Sequence, residues 1–383
     1  MYESLVSFVR EQYRTNDFIP LHAPVFSGNE QAYVAQTIES TFVSSVGAFV
    51  DRFEQDLQRY TGSPRAIATV NGTAALHIAL LLAGVKPGDR VITQSLTFVA
   101  TCNAIAYCGA EPVFVDVDRE SLSMCPSSLE AWLSEAAYID VDGACRLKDG
   151  DVILRACLPM HTFGHPADLD ALVLVCNRWG LALIEDAAES LGSFYKGRHT
   201  GTFGLLSTLS FNGNKIMTTG GGGMVLCGEE LGMRAKHLTT TAKQPHPYEY
   251  VHDEVGYNYR LPNLNAALGC AQLEQLEDFV ASKRELAARY EQMLKGSKLQ
   301  FVREPKGCRS NYWLNAVVCE SREHRDELLE FTNKQGVMTR PIWRLMNHLP
   351  VYASCLKADL SNAEWLESRI VNLPSSILPQ ATP

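Results

Sequence analysis

SFNGNKIMTTGGGG, residues 210–223, sets one lysine, Lys215, among polar residues and glycines that favour a tight loop. A surface lysine more often lies on a solvated helix, whereas the four glycines Gly220 to Gly223 allow another backbone or a ligand to come close. A lysine that attacks a carbonyl must be unprotonated, which requires partial desolvation or a nearby cation. The stretch therefore suggests a Schiff-base lysine, to which a phosphate-binding loop and a plain structural loop are the alternatives.

An apolar run upstream of this loop ends in two acids. Leu181 to Ile184 precede Glu185 and Asp186, and a helical pattern covers residues 169–179. Such a run predicts a buried strand of a parallel sheet, with both acids at its carboxyl end. Ligands of open α/β sheets bind outside that end. The alternative is that the two acids only begin a turn or cap a helix.

A third segment combines a short strand with the start of a helix. Ala66 to Val70 are mostly apolar, Asn71-Gly72-Thr73 form a turn, and an uncharged helical stretch follows to Leu80. The free amides and the positive dipole end of such a helix bind phosphate well. The segment lacks the glycine patterns of nucleoside triphosphate loops and of dinucleotide folds, so neither reading is supported.

The three segments together match the needs of one cofactor. A phosphate site, an acid that keeps a ring nitrogen protonated and a Schiff-base lysine are what pyridoxal 5'-phosphate requires. Their order resembles the fold-type I aminotransferases, and the motifs resemble the DegT/DnrJ/EryC1/StrS family of sugar aminotransferases from about Phe18 nearly to the C-terminus. The matching motifs are NGTAAL (71–76), TFVAT (97–101), EDAA (185–188), Ser210-Phe211 leading to Lys215, and GYNYRL (256–261).

The resemblance implies an α/β fold of the fold-type I, aspartate aminotransferase-like class. A large, mainly parallel sheet domain would be joined to a smaller C-terminal α+β domain. We expect an N-terminal arm at 1–29, the cofactor-binding domain at 30–255, and a linker helix with the small domain at 256–383. Along the chain we predict a helix at 2–13 in an otherwise polar arm, strands at 90–93, 112–116, 152–159, 181–184, 206–211, 223–227 and 312–319, and helices at 263–294, capped by Asn263, and at 322–335.

The resemblance also assigns cofactor roles. Lys215 would form the internal aldimine and later move the proton between the substrate carbon and the cofactor, which passes through its pyridoxamine phosphate form during turnover. Asp186 would pair with the pyridine nitrogen, and Phe98 would stack on the pyridine ring. The phosphate would be held by Gly72, Thr73 and Ser210, with Asn258 reaching across the interface of a homodimer whose active sites lie at that interface.

Two positions depart from the usual residues of the family, and a third distinguishes between two reactions found in it. Glu189 stands where many members carry glutamine beside the phenolic oxygen, and a carboxylate there would repel a phenolate unless it is protonated or turned away. Gly221 stands where members of the family frequently carry glutamate, and this replacement has no mechanistic explanation. The family also contains dehydratases with histidine in place of the lysine, and Lys215 argues against that chemistry.

The substrate is expected from a narrower resemblance. FIPLHAPVF (18–26), STFVSSVG (40–47) and MTRPIW (338–343) resemble enzymes that aminate C4 of UDP-4-keto-6-deoxy-N-acetylhexosamines of the legionaminic acid and bacillosamine type. L-Glutamate would be the donor, leaving as 2-oxoglutarate, and the product would enter a surface glycan. The alternatives are C3 or C4 amination of another nucleotide sugar such as the GDP-perosamine type, a different pyridoxal phosphate enzyme such as a desulfurase, and a non-catalytic regulatory homologue.

Four further residues are candidates for substrate contact: His161, Arg260, Arg340 and Trp343. Arginine suits phosphate and tryptophan suits stacking. A histidine satisfied by the backbone and a tryptophan that is a core residue of the small domain are equally good explanations of His161 and Trp343.

Composition narrows the class of protein. The chain has 383 residues, with 34 basic and 43 acidic ones and a net charge of −9, so no basic surface for nucleic acid is expected. No apolar stretch approaches the ~18 residues of a membrane span, and the first residues do not resemble a signal peptide, so a cytoplasmic enzyme is expected. The 11 cysteines lack any Cys-x-x-Cys pair, which predicts reduced thiols and no metal site.

Overall fold

The computed structural model describes residues 2–379. Met1 and residues 380–383, the outermost parts of the predicted arm and of the predicted small domain, lie outside the described residues. The helices are α1 (Tyr2–Tyr13), α2 (Glu30–Glu39), α3 (Ala48–Thr61), α4 (Gly72–Leu82), α5 (Val99–Tyr107), α6 (Pro126–Ala136), α7 (Leu169–Trp179), α8 (Glu229–Thr239), α9 (Asn263–Leu273), α10 (Leu276–Leu294), α11 (Arg322–Lys334) and α12 (Ser361–Glu367), with 3-10 turns at Thr162–Gly164 and Met346–His348. The strands are β1 (Arg65–Thr69), β2 (Arg90–Gln94), β3 (Glu111–Val115), β4 (Ala137–Ile139), β5 (Cys145–Leu147), β6 (Leu154–Leu158), β7 (Ala182–Asp186), β8 (Phe194–Tyr195), β9 (Arg198–His199), β10 (Leu206–Ser210), β11 (Gly223–Cys227), β12 (Gln300–Phe301), β13 (Cys308–Arg309), β14 (Asn315–Val318), β15 (Arg340–Pro341) and β16 (Ile370–Leu373).

The large sheet has seven strands in the order β1-β11-β10-β7-β6-β2-β3. β11 is antiparallel to both of its neighbours, and the other six strands run in one direction. The predicted mainly parallel sheet and fold class are therefore confirmed. Because the parallel strands share a direction, the carboxyl ends of β1, β7 and β10 meet at one edge of the sheet, where ligands of such folds bind.

A second sheet, of four strands in the order β12-β14-β16-β15, belongs to the C-terminal part of the chain. One of its two central strands, β14, is shorter than the predicted strand at 312–319. Tyr312 takes a left-handed backbone conformation with φ 46°, which an extended strand does not allow. α11 begins where the side chain of Ser321 accepts a hydrogen bond from the amide of His324.

The predicted helix at 263–294 is two helices, α9 and α10, separated at Glu274 and Gln275. The side chain of Gln275 donates to Glu30 at 2.7 Å, so this break joins the helix pair to the N-terminal residues. Asn263 is also not the N-cap that we predict. It lies in the first turn of α9, where its side chain donates to the carbonyl of Phe42 at 2.7 Å and accepts from the amide of Val50 at 3.3 Å.

The N-terminal residues differ from a polar arm. α1 has the predicted bounds, but Leu5, Val6 and Val9 are buried in one apolar cluster with Leu286 of α10 and Leu328 of α11. Burying these side chains removes apolar surface from water, which attaches α1 to the smaller sheet. Among residues 2–379, no helix combines the length and the apolar character needed to span a membrane.

A buried lysine connects α10 with the second sheet. Lys283 is fully buried, and its Nζ donates to the carbonyl of Trp313 at 3.1 Å and to the carbonyl of Ser375. Neither partner carries a charge that would offset the loss of hydration. Burial therefore lowers the pKa of Lys283 to about 7.

Lys283→Met should make the stability of the protein less dependent on pH. Because the folded-state pKa lies below the unfolded one, the unfolded chain binds more protons between about pH 7 and pH 10, and wild-type stability rises with pH across that window. The slope from one such group is at most about 1.4 kcal/mol per pH unit. Chemical denaturation at pH 7 and pH 9 should show a free energy of unfolding that rises more in the wild type than in the variant. Parallel curves would show that Lys283 titrates alike in both states.

Candidate active site

Seven of the eight predicted cofactor residues line one cavity of about 260 Å³ at the carboxyl edge of the large sheet. They come from four separate segments of the chain: Gly72 and Thr73, Phe98, Asp186 and Glu189, and Ser210 and Lys215. Asn258 is the exception. None of the eleven cysteines, all of them free and within the described residues, lines the cavity, which counts against a desulfurase.

Lys215 lies in the loop between β10 and β11, with only 12% of its side chain exposed. Its Nζ is 3.1 Å from Oε1 of Glu189 and 4.1 Å from the centre of the Trp313 ring. The indole Nε1–H of Trp313 donates to the carbonyl of Asn214 at 2.6 Å, which fixes the loop next to the lysine. The catalytic candidate is therefore held between a carboxylate and an aromatic face.

Asp186 is the last residue of β7 and is buried at the floor of the cavity. Its Oδ2 accepts from the hydroxyl of Thr101 at 2.7 Å, and its Oδ1 accepts from the amide of Ala188 at 3.2 Å. Burial raises the pKa of this carboxyl, and these hydrogen bonds and the charge of Lys215 act in the opposite direction. A cationic group at the open side of Asp186 would therefore favour its ionised form.

Glu185 points to the other face of the strand, as neighbouring residues of a strand do. Its two oxygens accept from the amides of Gly201, Phe203 and Gly204 at 2.7 to 2.8 Å, and one of them lies 3.0 Å from Nε2 of His161. Burial alone would raise the pKa of Glu185, but the hydrogen bonds outweigh it and hold the pKa below its usual range. Glu185 therefore has a structural role, but it lies inside β7 and does not begin a turn or cap a helix as the alternative predicts.

The prediction that His161 contacts the substrate has to be corrected. Its side chain is fully buried, Nε2 contacts Glu185, and Nδ1 accepts from the amide of Ala167 at 3.1 Å. Both ring nitrogens are therefore occupied within the protein. The alternative, a histidine satisfied by the backbone, holds for Nδ1, whereas Nε2 is satisfied by the side chain of Glu185.

The phosphate end of the cavity is built from the start of α4 and the end of β10. Asn71 caps α4 by accepting from the amide of Ala74 at 2.8 Å, which leaves the first amides, at Gly72 and Thr73, at the cavity. A Cβ on Gly72 would lie 2.9 Å from Cβ of Ser210, so the helix start and the serine approach as closely as glycine allows. Amides, a helix dipole and a hydroxyl that face one space form an anion site.

Phe98 supplies the flat wall. It directly precedes α5, and 48% of its surface is exposed although it is a large apolar residue. Its ring centroid is 6.3 Å from that of Trp343, which in turn lies 5.3 Å from Phe163. Trp343 is half-buried behind Phe98 and packs against the core, as the structural alternative for it predicts.

The remaining predicted residues lie outside the cavity of a single chain. Arg340 is exposed on the short strand β15. Asn258 is exposed as well, and its Oδ1 accepts from Nε of Arg260 at 3.1 Å. An interface role for Asn258 and substrate roles for Arg260, Arg340 and Trp343 stay predictions.

Glu189 faces the cavity and is not turned away from it. Its second oxygen, Oε2, accepts from the amide of Phe163 at 2.9 Å, and Phe163 has a left-handed backbone with φ 57°. Such a conformation is strained for a bulky residue, and strain of this kind is concentrated at functional sites. Burial raises the pKa of Glu189, while Lys215 and the Phe163 amide lower it.

These residues fit pyridoxal 5'-phosphate. The cavity offers an amine for an aldehyde, a carboxylate for a ring nitrogen, an anion site for a phosphate and an aromatic face for a planar ring. Thr101 and Trp313 complete the arrangement, and neither has a predicted role. Thr101 lies in the motif at 97–101, which could have indicated its role, whereas no sequence pattern indicates Trp313.

Comparison with known proteins gives the same assignment. Residues 25–379 match the DegT/DnrJ/EryC1/StrS aminotransferase family. The chain is 37% identical to the GDP-perosamine synthase of Escherichia coli O157:H7, over 94% of this chain and 93% of the relative, and 35% identical to that of Vibrio cholerae, over 93% and 94%. A DegT DnrJ EryC1 StrS aminotransferase from Brucella abortus superposes with a TM-score of 0.83 at 30% identity, covering 92% of this chain and 91% of that one.

The aminotransferase TlmJ from Streptoalloteichus hindustanus superposes with a TM-score of 0.84 at 28% identity, over 94% and 93% of the two chains. The fold and the cavity thus agree with the family match over residues 25–379. The chain belongs to the DegT/DnrJ/EryC1/StrS family and is a pyridoxal 5'-phosphate-dependent sugar aminotransferase.

Proposed function

We propose that the protein transfers an amino group from L-glutamate to C4 of a nucleotide-linked 4-keto-6-deoxyhexose. The observation that carries the proposal is the single cavity in which Lys215, Asp186 and the Gly72–Ser210 anion site face one another. Glutamate as the donor rests on the resemblance of the motifs to the family.

The residues divide the chemistry among them. Pyridoxal 5'-phosphate, when bound, supplies the carbonyl that takes up the amino group and a ring that withdraws electrons from the reacting carbon. Lys215 holds the cofactor through Nζ and, once released, removes the proton from the reacting carbon and returns it. Asp186, positioned by Thr101, keeps the ring nitrogen protonated, and Phe98 leaves only one face of the ring open to substrate.

For the sugar, we propose a GDP-linked 4-keto-6-deoxyhexose. Two relatives that cover nearly the whole chain at 35% and 37% identity are GDP-perosamine synthases, and perosamine is a 4-amino-4,6-dideoxyhexose. The UDP-4-keto-6-deoxy-N-acetylglucosamine expected from motifs 18–26, 40–47 and 338–343 is the second candidate. Both are aminated at the same carbon, so the choice concerns the nucleotide and C2 of the sugar.

We further propose a cytoplasmic homodimer that supplies a surface glycan. Asn258 is exposed and does not line the cavity of its own chain. Both properties are expected of a residue that reaches the phosphate site of a partner subunit. Apolar side chains are exposed in two segments, among them Phe42 and Val46 in one and Tyr248 and Tyr250 in the other. Exposed apolar surface of this extent is typical of interfaces, and sedimentation of the cofactor-loaded protein tests for the dimer.

The decisive experiment offers both sugars with one donor. Purified protein with pyridoxal phosphate and nitrogen-labelled glutamate is incubated with GDP-4-keto-6-deoxymannose or with UDP-4-keto-6-deoxy-N-acetylglucosamine, and the nucleotide sugars are analysed by mass spectrometry. We expect label in the GDP-sugar. Label in the UDP-sugar alone would replace the proposed substrate by the second candidate. Loss of the yellow colour with glutamate but no labelled sugar would discard both sugars and keep the transamination.

A further inference from the structure

Lys215 has a second neighbour besides Glu189, and that neighbour lies outside the cavity. The Trp313 ring faces the ammonium nitrogen at 4.1 Å, while the described residues that line the cavity do not include Trp313. The contact therefore concerns the lysine and not the space that the cofactor fills. A cation at this distance from an indole face is attracted by the ring quadrupole.

Trp313 is held rigidly in this position. The residue is 4% exposed, its amide donates to Oδ1 of Asn311 at 2.8 Å, and its carbonyl accepts from the buried Lys283 at 3.1 Å. The indole N–H donates to Asn214, the residue before the catalytic lysine. Three hydrogen bonds thus fix the position of Trp313 beside the lysine.

The lysine alternates between two chemical states during transamination. Its amine condenses with the aldehyde of pyridoxal phosphate and releases water, and in that state its nitrogen is bonded to the cofactor carbon. When the cofactor instead carries the amino group, as pyridoxamine phosphate, the lysine is free and can hold a proton as an ammonium. Only the free state places an unbonded cation between Glu189 and Trp313.

We propose that Trp313 is a positioning residue that stabilises the free, protonated state of Lys215. It acts through the lysine and so favours the amine form of the enzyme over the aldehyde form. Glu189 contacts the ammonium at 3.1 Å, and the indole face adds a second attractive contact at 4.1 Å without adding a second negative charge. The inference depends on the lysine and the cofactor only, and not on the donor or the sugar.

The test measures binding of the two cofactor forms to cofactor-free protein. Trp313→Leu and Trp313→Phe are titrated with pyridoxal phosphate and with pyridoxamine phosphate, and the ratio of the two Kd values is compared with the wild type. Binding of the aldehyde takes the lysine away from Trp313, whereas binding of the amine form leaves it there. We expect the leucine variant to shift the ratio about fivefold toward pyridoxal phosphate, and the phenylalanine variant, which keeps a weaker ring face, about twofold.

Trp365→Leu is the matched control. Trp365 also lies under a cation, with Arg119 at 4.3 Å and Arg369 at 4.8 Å from its ring centre, but it belongs to α12 and lines no part of the cavity. The ratio of the two Kd values should be the same in this variant as in the wild type. A purely structural Trp313 would weaken both cofactor forms equally and leave the ratio unchanged, which would overturn the proposal. An equal shift in the leucine and phenylalanine variants would also overturn it, because the indole hydrogen bond rather than the ring would then be responsible.

Discussion

Replacing Lys215 with alanine should abolish turnover and leave a folded protein that still binds pyridoxal phosphate without a covalent bond. The alanine removes both the amine that bonds to the cofactor and the base that moves the proton, and loss of the base alone costs about 10²- to 10⁴-fold in rate. The anion site at Gly72, Thr73 and Ser210 is untouched, so the phosphate retains its contacts. Steady-state assays give kcat, and borohydride reduction followed by mass spectrometry of the intact protein reports the covalent bond.

Lys298→Ala is the matched control for this variant. Lys298 also forms an ion pair with a glutamate, Glu320, at 3.1 Å, but its side chain is 68% exposed and does not line the cavity. Exposed pairs contribute little to stability, so this variant should match the wild type in kcat and in covalent labelling. Turnover by the Lys215 variant at the wild-type rate would refute the proposed role of the lysine.

Asp186→Asn is expected to lower kcat by about 10²- to 10³-fold, the range seen when a preorganised electrostatic partner is removed. The amide can still accept from Thr101 or from the Ala188 amide, so the fold should be preserved. Without the negative charge, the ring nitrogen of the cofactor is no longer held protonated, and the ring withdraws fewer electrons from the reacting carbon. Both kcat and the pH titration of the bound cofactor's absorbance should change. A kcat near that of the wild type would exclude the proposed pairing.

The neighbouring acid provides the contrast. Glu185→Gln replaces one acceptor oxygen by an amide nitrogen, which cannot accept from the Gly201 or Phe203–Gly204 amides. An unsatisfied buried donor costs about 1 to 3 kcal/mol, so this variant should melt at a lower temperature. Its kcat at a temperature where it remains folded should stay close to wild type, because Glu185 does not line the cavity.

The parts of the site that could be predicted from the sequence are those that local pattern determines. Lys215, Asp186 and Gly72 each stand at a junction of an apolar strand with a polar turn, and such junctions are visible within a few residues. Trp313 could not be found in this way, since it contacts Asn214 across 99 residues of sequence. His161 follows a strand as a residue in contact with substrate would, and only its burial beside Glu185 distinguishes a substrate contact from a structural role.

In the fold, too, local sequence pattern predicts some features, and distant contacts determine the others. The alternation of apolar strands and helices in residues 65–227 was enough to predict the sheet, with strand ends that differ by at most two residues. The break between α9 and α10 and the burial of α1 were missed. Both depend on distant contacts, of Gln275 with Glu30 and of α1 with α10 and α11, which override local helical pattern and polar composition.

The antiparallel strand β11 has a consequence for how the protein is made. β1 is hydrogen-bonded in the sheet through β11, and Thr69 faces Gly223, 154 residues later. The turn at Gly72 can therefore reach its final place only after almost sixty per cent of the chain has left the ribosome, and pairing across so long a separation is slow. A nascent chain that ends between Lys215 and Gly223 holds the phosphate turn and the lysine but lacks β11, the strand that joins β1 to the sheet.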